Sequence, residues 1–356
     1  MLLLSNIKDV ARLAGVSVAT VSRYINKTSN ISFDVQQKIE AAINATNYRP
    51  NNVARALVHQ KSNTIGIIVN NLHDVFFNDL IQGFEIASEQ TNYNIIFCSV
   101  YGKDPQRKEQ YIHYLTSGPT DGIIIYGSYK NDEKIIKELL CKNFPFILIE
   151  NELKGINTNS FLIDNISGAK SAIEYLYSIG HRNIAFIGGD PNKTDLNDRL
   201  NGYMSSMIEN SLKIKDGYIQ HCGNDYHNAY QCMNNLLNLK IVPSAVFCAN
   251  DSIASFAIRA IIDKGLRIPN DISIMGFDNQ KILPDDYSGP KITTMARPLA
   301  ELAKDSMKLM TEILDKDNKK VSKRYYDAHV LVKDTTAALS ALTGPSLQKV
   351  TDIART

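Results

Sequence analysis

The stretch 6–57, reading NIKDVARLAGVSVATVSRYINKTSNISFDVQQKIEAAINATNYRPNNVARAL, constrains this chain more than any other. Ile7, Val10 and Ala11 recur at helical spacing, Gly15 supplies a turn, and Ser17 can cap a second helix, Val18–Asn26, whose period resumes through Val21 and Ile25. This is a helix-turn-helix pattern. Ala11 and Gly15 are small where two helices cross closely and the turn bends sharply, so a larger side chain at either position is expected to clash. Ser32 can cap a third helix, Phe33–Thr46, whose Val35, Ile39, Ala42 and Ile43 form one apolar stripe able to close a small core. Pro50 ends the regularity, and 51–59 restarts a short amphipathic turn or two.

In such a unit the second helix reads DNA, with residues near its N-terminus facing base edges. That singles out Val18, Ala19 and Arg23. Arg23 can contact guanine in a bidentate manner, while Val18 and Ala19 can pack on a thymine methyl. Thr20, Ser22 and Asn26 are short polar groups suited to phosphates, which set register without reading sequence. Core packing is the alternative for Val18. Charge follows the same division: residues 1–62 hold eight lysines and arginines against three carboxylates, a net of +5, which leaves −3 on the rest of a chain whose total is +2. A basic head on a slightly acidic body is expected where only the head meets phosphate.

The chain has 356 residues, too many for one ordinary core. Beyond residue 63, apolar runs rich in Ile and Val (64–69, 94–100, 122–126, 145–149, 184–187, 245–248 and 272–277) alternate with helical patterns at 77–91, 105–117, 133–142, 166–179, 199–210, 226–239, 252–264 and 299–314. Continuous apolar strands joined by helices imply a parallel α/β class, in two doubly wound series. Five cysteines, Cys98, Cys141, Cys222, Cys232 and Cys248, have no pair spacing, which suits reduced, mostly buried thiols of a cytoplasmic protein. The apolar Met1 to Leu4 is too short for a signal peptide or a membrane span.

IKDVARLAGVS, TVSRYIN and NYRPNNVARAL, in that order and spacing, resemble the lactose repressor and galactose repressor family of bacterial transcription regulators. The resemblance implies a ligand-responsive regulator, most often a repressor, that binds a near-palindromic double-stranded DNA operator as a homodimer. It implies a hinge that folds on the operator and wedges a leucine from each subunit into the minor groove; here Leu57 matches that leucine, with Ala54 and Arg55 beside it. It also implies a core like a periplasmic sugar-binding protein, two lobes joined by three strands. The expected organisation is an all-α DNA-binding domain at 1–49, a hinge at 50–62 and an effector-binding core at 63–340, followed by a peripheral or disordered tail at 341–356. Within the core, lobe 1 covers 63–163 and 297–325, lobe 2 covers 164–296 and 326–340. Helix 299–314 would return to the first lobe, and 326–333 would add a last strand to the second.

Ligands of open α/β sheets bind beyond the carboxyl ends of the strands. Those ends carry 70–76, Tyr126, Glu150, Asn250, Asp251 and Asp278, a set of carboxylates, amides and aromatics suited to sugar hydroxyls and ring faces. The resemblance assigns residues individually: Asp74 and Phe76 in HDVFFNDLIQGFE, Arg199 in DRLNGY, and Asn250, Asp251 and Asp278 in CANDSIA and MGFDN. The same resemblance gives Tyr226 the place of a stacking aromatic, and Glu150 stands where the family often has the shorter aspartate. For Asn250 and the other polar residues that precede helices, capping is the competing role. The implied effector is a sugar or sugar phosphate, with nucleosides, purines and a phosphoprotein coeffector as alternatives. No GxGxxG, GxxxxGK[ST] or GxSxG pattern is present, and Gly188 with Gly189 is too little to cradle a phosphate, so no enzyme and no cofactor are expected. The seven histidines lack metal spacing. A transport binding protein sharing the two-lobed core is disfavoured by the basic head.

Overall fold

The computed structural model describes residues 6–26, 29–48, 61–72, 77–100, 105–127, 132–153, 155–280, 289–316 and 321–339. Helices α1 (Ile7–Ala14), α2 (Val18–Asn26) and α3 (Phe33–Thr46) come first. Asn6 and Asp9 form a reciprocal cap on α1: the Asn6 side chain accepts the amides of Lys8 and Asp9, and Asp9 accepts the amide of Asn6 at 3.0 Å. Ser17 caps α2 by accepting the Thr20 amide at 3.1 Å. Ser32 occupies the cap position of α3 without making the capping bond expected of it, and Gln36 instead donates to the Ile31 carbonyl at 2.7 Å. Val10, Ala11, Ala14, Val21, Ile39 and Ala42 are the buried core of this unit, with Tyr24, Ile25, Val35 and Ile43 packed around it. Gly15 serves a different purpose from the one its size suggests. Its backbone is left-handed (φ 65°, ψ 32°), and a Cβ there would meet nothing within 4 Å. Handedness requires the glycine, not space.

The remaining described elements build two sheets. The first series runs β1 (Thr64–Val69), α4 (Asn78–Glu89), β2 (Asn94–Ser99), α5 (Pro105–Thr116), β3 (Gly122–Tyr126), α6 (Asp132–Cys141), β4 (Phe146–Ile149) and β5 (Ser160–Ile163). The second runs α7 (Asn165–Ser178), β6 (Ile184–Gly188), α8 (Thr194–Glu209), β7 (Ile219–His221), α9 (Asn228–Leu237), β8 (Ala245–Cys248), α10 (Asp251–Asp263), β9 (Ser273–Phe277) and β10 (Thr293–Ala296). Last come α11 (Leu299–Lys316), β11 (Lys323–Tyr326) and β12 (His329–Leu331). Strand order is β11-β5-β4-β3-β1-β2 in one sheet and β12-β10-β9-β8-β6-β7 in the other. The central pairs are parallel, with Ile67 opposite Ile124 and Phe186 opposite Phe247, while β12 lies antiparallel to β10. Strands buried on both faces by flanking helices read as unbroken apolar runs, which is why the central strands show in the sequence.

Among the described residues the chain passes between the sheets three times: from β5 to α7, from β10 to α11, and from β11 to β12. Helix α11 packs against α4 and against β3 and β4 of the first sheet. The strand expected over 326–333 is divided, since Tyr326 ends a strand paired with β5 and only His329–Leu331 joins the second sheet. Strand β10, TTMA, has no apolar run; Thr293 is buried against the Thr336 hydroxyl at 2.9 Å and Thr294 against Asp251 at 2.7 Å. Residues 51–59 and the tail 341–356 lie outside the described residues.

The segment after β12 is pinned to the second sheet. The Ala337 amide donates to Ser273 Oγ at 3.2 Å and the Leu339 amide to the Ile179 carbonyl at 2.9 Å. Buried His181 joins in: Nε2 is 3.1 Å from the Ala337 carbonyl, so it carries the proton, and Nδ1 is 2.9 Å from Ser244 Oγ. Burial pushes the His181 pKa down to about 4. An unfolded histidine binds its proton near pH 6.5, so stability from the neutral ring is present above that pH and is lost as pH falls toward 4. We expect this group to contribute a loss of up to ~3 kcal/mol between pH 7 and pH 4, read as the difference between the unfolding profiles of wild type and His181→Gln.

Candidate effector cleft and nucleic-acid interface

On α2, Val18 is 39% exposed, so it does not belong to the small core. Ala19 and Arg23 are exposed with it, and Thr20, Ser22 and Asn26 are partly buried, Asn26 donating to Ser22 Oγ at 3.3 Å. The opposite side of the helix buries Val21. Ala54, Arg55 and Leu57 lie outside the described residues, as do Asp74 and Phe76.

At the carboxyl ends of the strands a buried ionic chain forms. Arg199 projects from α8, which begins five residues earlier than the apolar pattern suggests and carries Asp195 in its first turn. Only 1% of the Arg199 side chain is exposed. Its Nε donates to Asn165 Oδ1 at 2.9 Å, Nη1 donates to the Ala249 carbonyl at 2.7 Å, and Nη2 lies 2.9 Å from Asp278 Oδ1. The guanidinium stacks 3.8 Å over the Phe277 ring, which offsets some of the cost of removing it from water. Asp278 Oδ1 is also 3.1 Å from Nε of Arg297, and Nη1 of Arg297 donates to Glu150 Oε2 at 3.3 Å. Tyr126, buried at the end of β3, feels the charges of Arg297, Glu150, Asp278 and Asp195, and burial raises its pKa. Burial likewise raises the Glu150 carboxyl, against the opposing pull of Arg297.

The structure therefore brings Tyr126, Glu150, Arg199 and Asp278 together. Asn250 behaves as a cap, its side chain accepting the Ile253 amide at 2.8 Å. Asp251 lies beneath, accepting the Thr294 hydroxyl and the Gln280 amide, each at 2.7 Å. A Cβ on Gly276 would stand 2.0 Å from Asp251 Oδ1, so this approach requires glycine. Tyr226 stands apart from the ionic chain, partly buried, with Lys193 Nζ 5.7 Å from its ring centre. Arg297 and Asn165 are absent from the sequence reading. Arg297 follows β10 directly, so the rule of strand ends finds it once TTMA is recognised as a strand.

Among the described residues no group of three His, Cys, Asp or Glu side chains could hold a metal, and no helix is long and apolar enough to cross a membrane. Cys141 is exposed and the other four cysteines are buried, all of them as free thiols.

Burial raises the Asp251 pKa to about 7, and the charge of Asp278 adds to the effect. The folded protein then holds this proton where the unfolded chain, near 3.8, has released it. Stability from the neutral acid is complete below pH 3.8 and is lost as pH rises through 7. The sign is opposite to that of His181. Asp251→Asn should remove a pH-dependent loss of at most ~4 kcal/mol between pH 4 and pH 8, measured by denaturant unfolding.

Two family descriptions match: "Bacterial regulatory proteins, lacI family" over residues 6–51, and "Periplasmic binding protein-like domain" over residues 173–336. The transcriptional repressor PurR of Mannheimia succiniciproducens is 31% identical over 322 residues, covering 89% of this chain and 94% of that protein. The regulator RegA of Clostridium saccharobutylicum is 34% identical, covering 88% and 93%, and the probable repressor ExuR of Bacillus subtilis is 32% identical, covering 94% and 99%. Among solved structures, the Lac repressor dimer bound to operator and the anti-inducer ONPF superposes with a TM-score of 0.82 at 26% identity, covering 94% of this chain and 100% of that one. An N-terminal helix-turn-helix followed by two mostly parallel α/β sheets, with repressors as relatives along nearly its whole length, makes this chain a transcriptional regulator of the LacI family of bacterial regulatory proteins and not an enzyme.

Proposed function

We propose that the chain represses transcription by binding a near-palindromic operator as a homodimer, and that a sugar in the cleft between its strand ends controls that binding. The observation that carries the reading is the ionic chain Arg199–Asp278–Arg297–Glu150 beside buried Tyr126: paired donors and acceptors for hydroxyls, with an aromatic face nearby. Arg199 and Asp278 are the principal ligand contacts in this reading. Glu150, Tyr126, Asn250, Asp251 and Tyr226 complete the pocket with Asp74 and Phe76. On the DNA side Arg23 reads a base edge with Val18 and Ala19, Thr20, Ser22 and Asn26 hold phosphates, and Leu57 wedges the minor groove with Ala54 and Arg55 beside it. The domain limits given by the resemblance, 1–49, 50–62 and 63–340, serve this division of labour.

An effector can shift operator affinity only if it binds the DNA-competent and DNA-incompetent states differently. The relatives named PurR, 31–32% identical, are the reason to test purines beside sugars. A thermal-shift screen of neutral sugars, sugar phosphates, nucleosides and purines decides the class, because a ligand at a hundred times its Kd adds ~2.7 kcal/mol to the folded state. Stabilisation by a purine and by no sugar would overturn the sugar reading. With an operator selected from random DNA, Arg23→Ala should lose ~1–3 kcal/mol of specific affinity in anisotropy titrations while ligand stabilisation is retained. Arg199→Ala should bind the operator and lose its response to the ligand found in the screen.

A further inference from the structure

Arg297 occupies the second passage of the chain between the sheets, after β10 and before α11. Its side chain is 2% exposed and meets one carboxylate from each side. Glu150 follows β4 of the first sheet, and Asp278 follows β9 of the second. The second oxygen of Glu150 accepts the amide of Ile163 at 2.6 Å, at the end of β5 where the first passage begins. One guanidinium thus connects two of the three passages.

The links in this chain are unequal. Arg297 Nη1 to Glu150 is a hydrogen bond. Both contacts at Asp278 Oδ1, from Arg199 and from Arg297, are charge contacts without hydrogen-bond alignment. Two cations therefore share one oxygen, and whatever changes the hold of one changes that of the other. Glu150 and Asp278 also sit at positive φ, 53° and 101°, conformations that cost a non-glycine residue energy and persist where surrounding contacts enforce them.

We infer that Arg297 is a positioning residue that transmits the state of the Arg199–Asp278 pair to Glu150 and to the Ile163 amide, so that cleft contents and passage geometry change together. The functional half of this statement rests on the cleft being the effector site; the transmission itself does not, and can be read without any ligand. A polar ligand that takes Asp278 Oδ1 weakens the hold on Arg297 from the second sheet while the aligned Glu150 bond stays in place.

The test is hydrogen exchange by mass spectrometry on the full-length, unliganded chain, comparing wild type, Asp278→Asn, Arg297→Gln and the double variant. Asp278→Asn should speed exchange in the peptide containing Ile163 by about tenfold although the two residues share no bond, since removing one partner of a buried pair is costly to the other. Arg297→Gln should give a similar rise, the double variant should add nothing further, and the peptide covering α9, which touches none of the four charged residues, should be unchanged in all three. An unaltered Ile163 peptide, additive effects, or a parallel rise in α9 that reports general loss of stability would each overturn the inference. If Arg297→Gln does not fold, Arg297→Lys replaces it and must also suppress the response to Asp278→Asn. Absence of sugar binding in the earlier screen would remove the effector reading and leave this exchange result intact.

Discussion

Charges can be kept inside this protein only because they neutralise one another. Moving an ion from water into a protein interior costs several kcal/mol even after relaxation, and a guanidinium cannot escape the cost by giving up its proton. Arg199 and Arg297 are nevertheless buried, and the neighbourhood is built around that fact. Asn165, the Ala249 carbonyl, Asp278 and the Phe277 ring surround the first, and Glu150 and Asp278 flank the second. Parallel strands make this possible, because their carboxyl ends open on the same side and deliver residues far apart in sequence to one place. Glu150 and Arg297 are separated by 147 positions.

What could be read from the sequence follows from how local each signal is. Helices α1 to α3 were legible because their apolar positions recur within one or two turns and Ser17 caps α2 over three residues, whereas the Asn6 cap of α1 went unread. The central strands were legible because burial on both faces leaves continuous Ile and Val. Strand β10 was not, because its threonines become buriable through Thr336 and Asp251, partners more than forty positions away. Strand β11, KRYY, was not read as a strand because an exposed edge strand has no apolar run to announce it. In the candidate cleft the positions after apolar strands identified Tyr126, Glu150 and Asp278, whereas Arg297 went unnoticed together with the strand that presents it. Gly15 gives a subtler lesson: smallness was the visible property, but handedness is the one the backbone uses.

His181 and Asp251 show that neutral titratable groups are as much a part of this interior as charged ones. Burial shifts each toward its uncharged form, one tying the segment after β12 to the second sheet and the other bracing β10 and the loop after β9. Their opposed responses to pH partly cancel, so a flat stability profile in mildly acidic solution would conceal two large contributions and not imply that neither exists.

The three passages between the sheets also bear on how the polypeptide is made. Neither sheet is encoded by one uninterrupted segment: the first waits for α11 and β11, which leave the ribosome after almost all of the second has emerged. Synthesis at roughly 5–20 residues per second leaves β1 to β5 without their covering helix for several seconds or more. During that interval the surface of α4 and β3 that α11 later covers is open to solvent, so a nascent chain of this architecture is one on which chaperones have time to act.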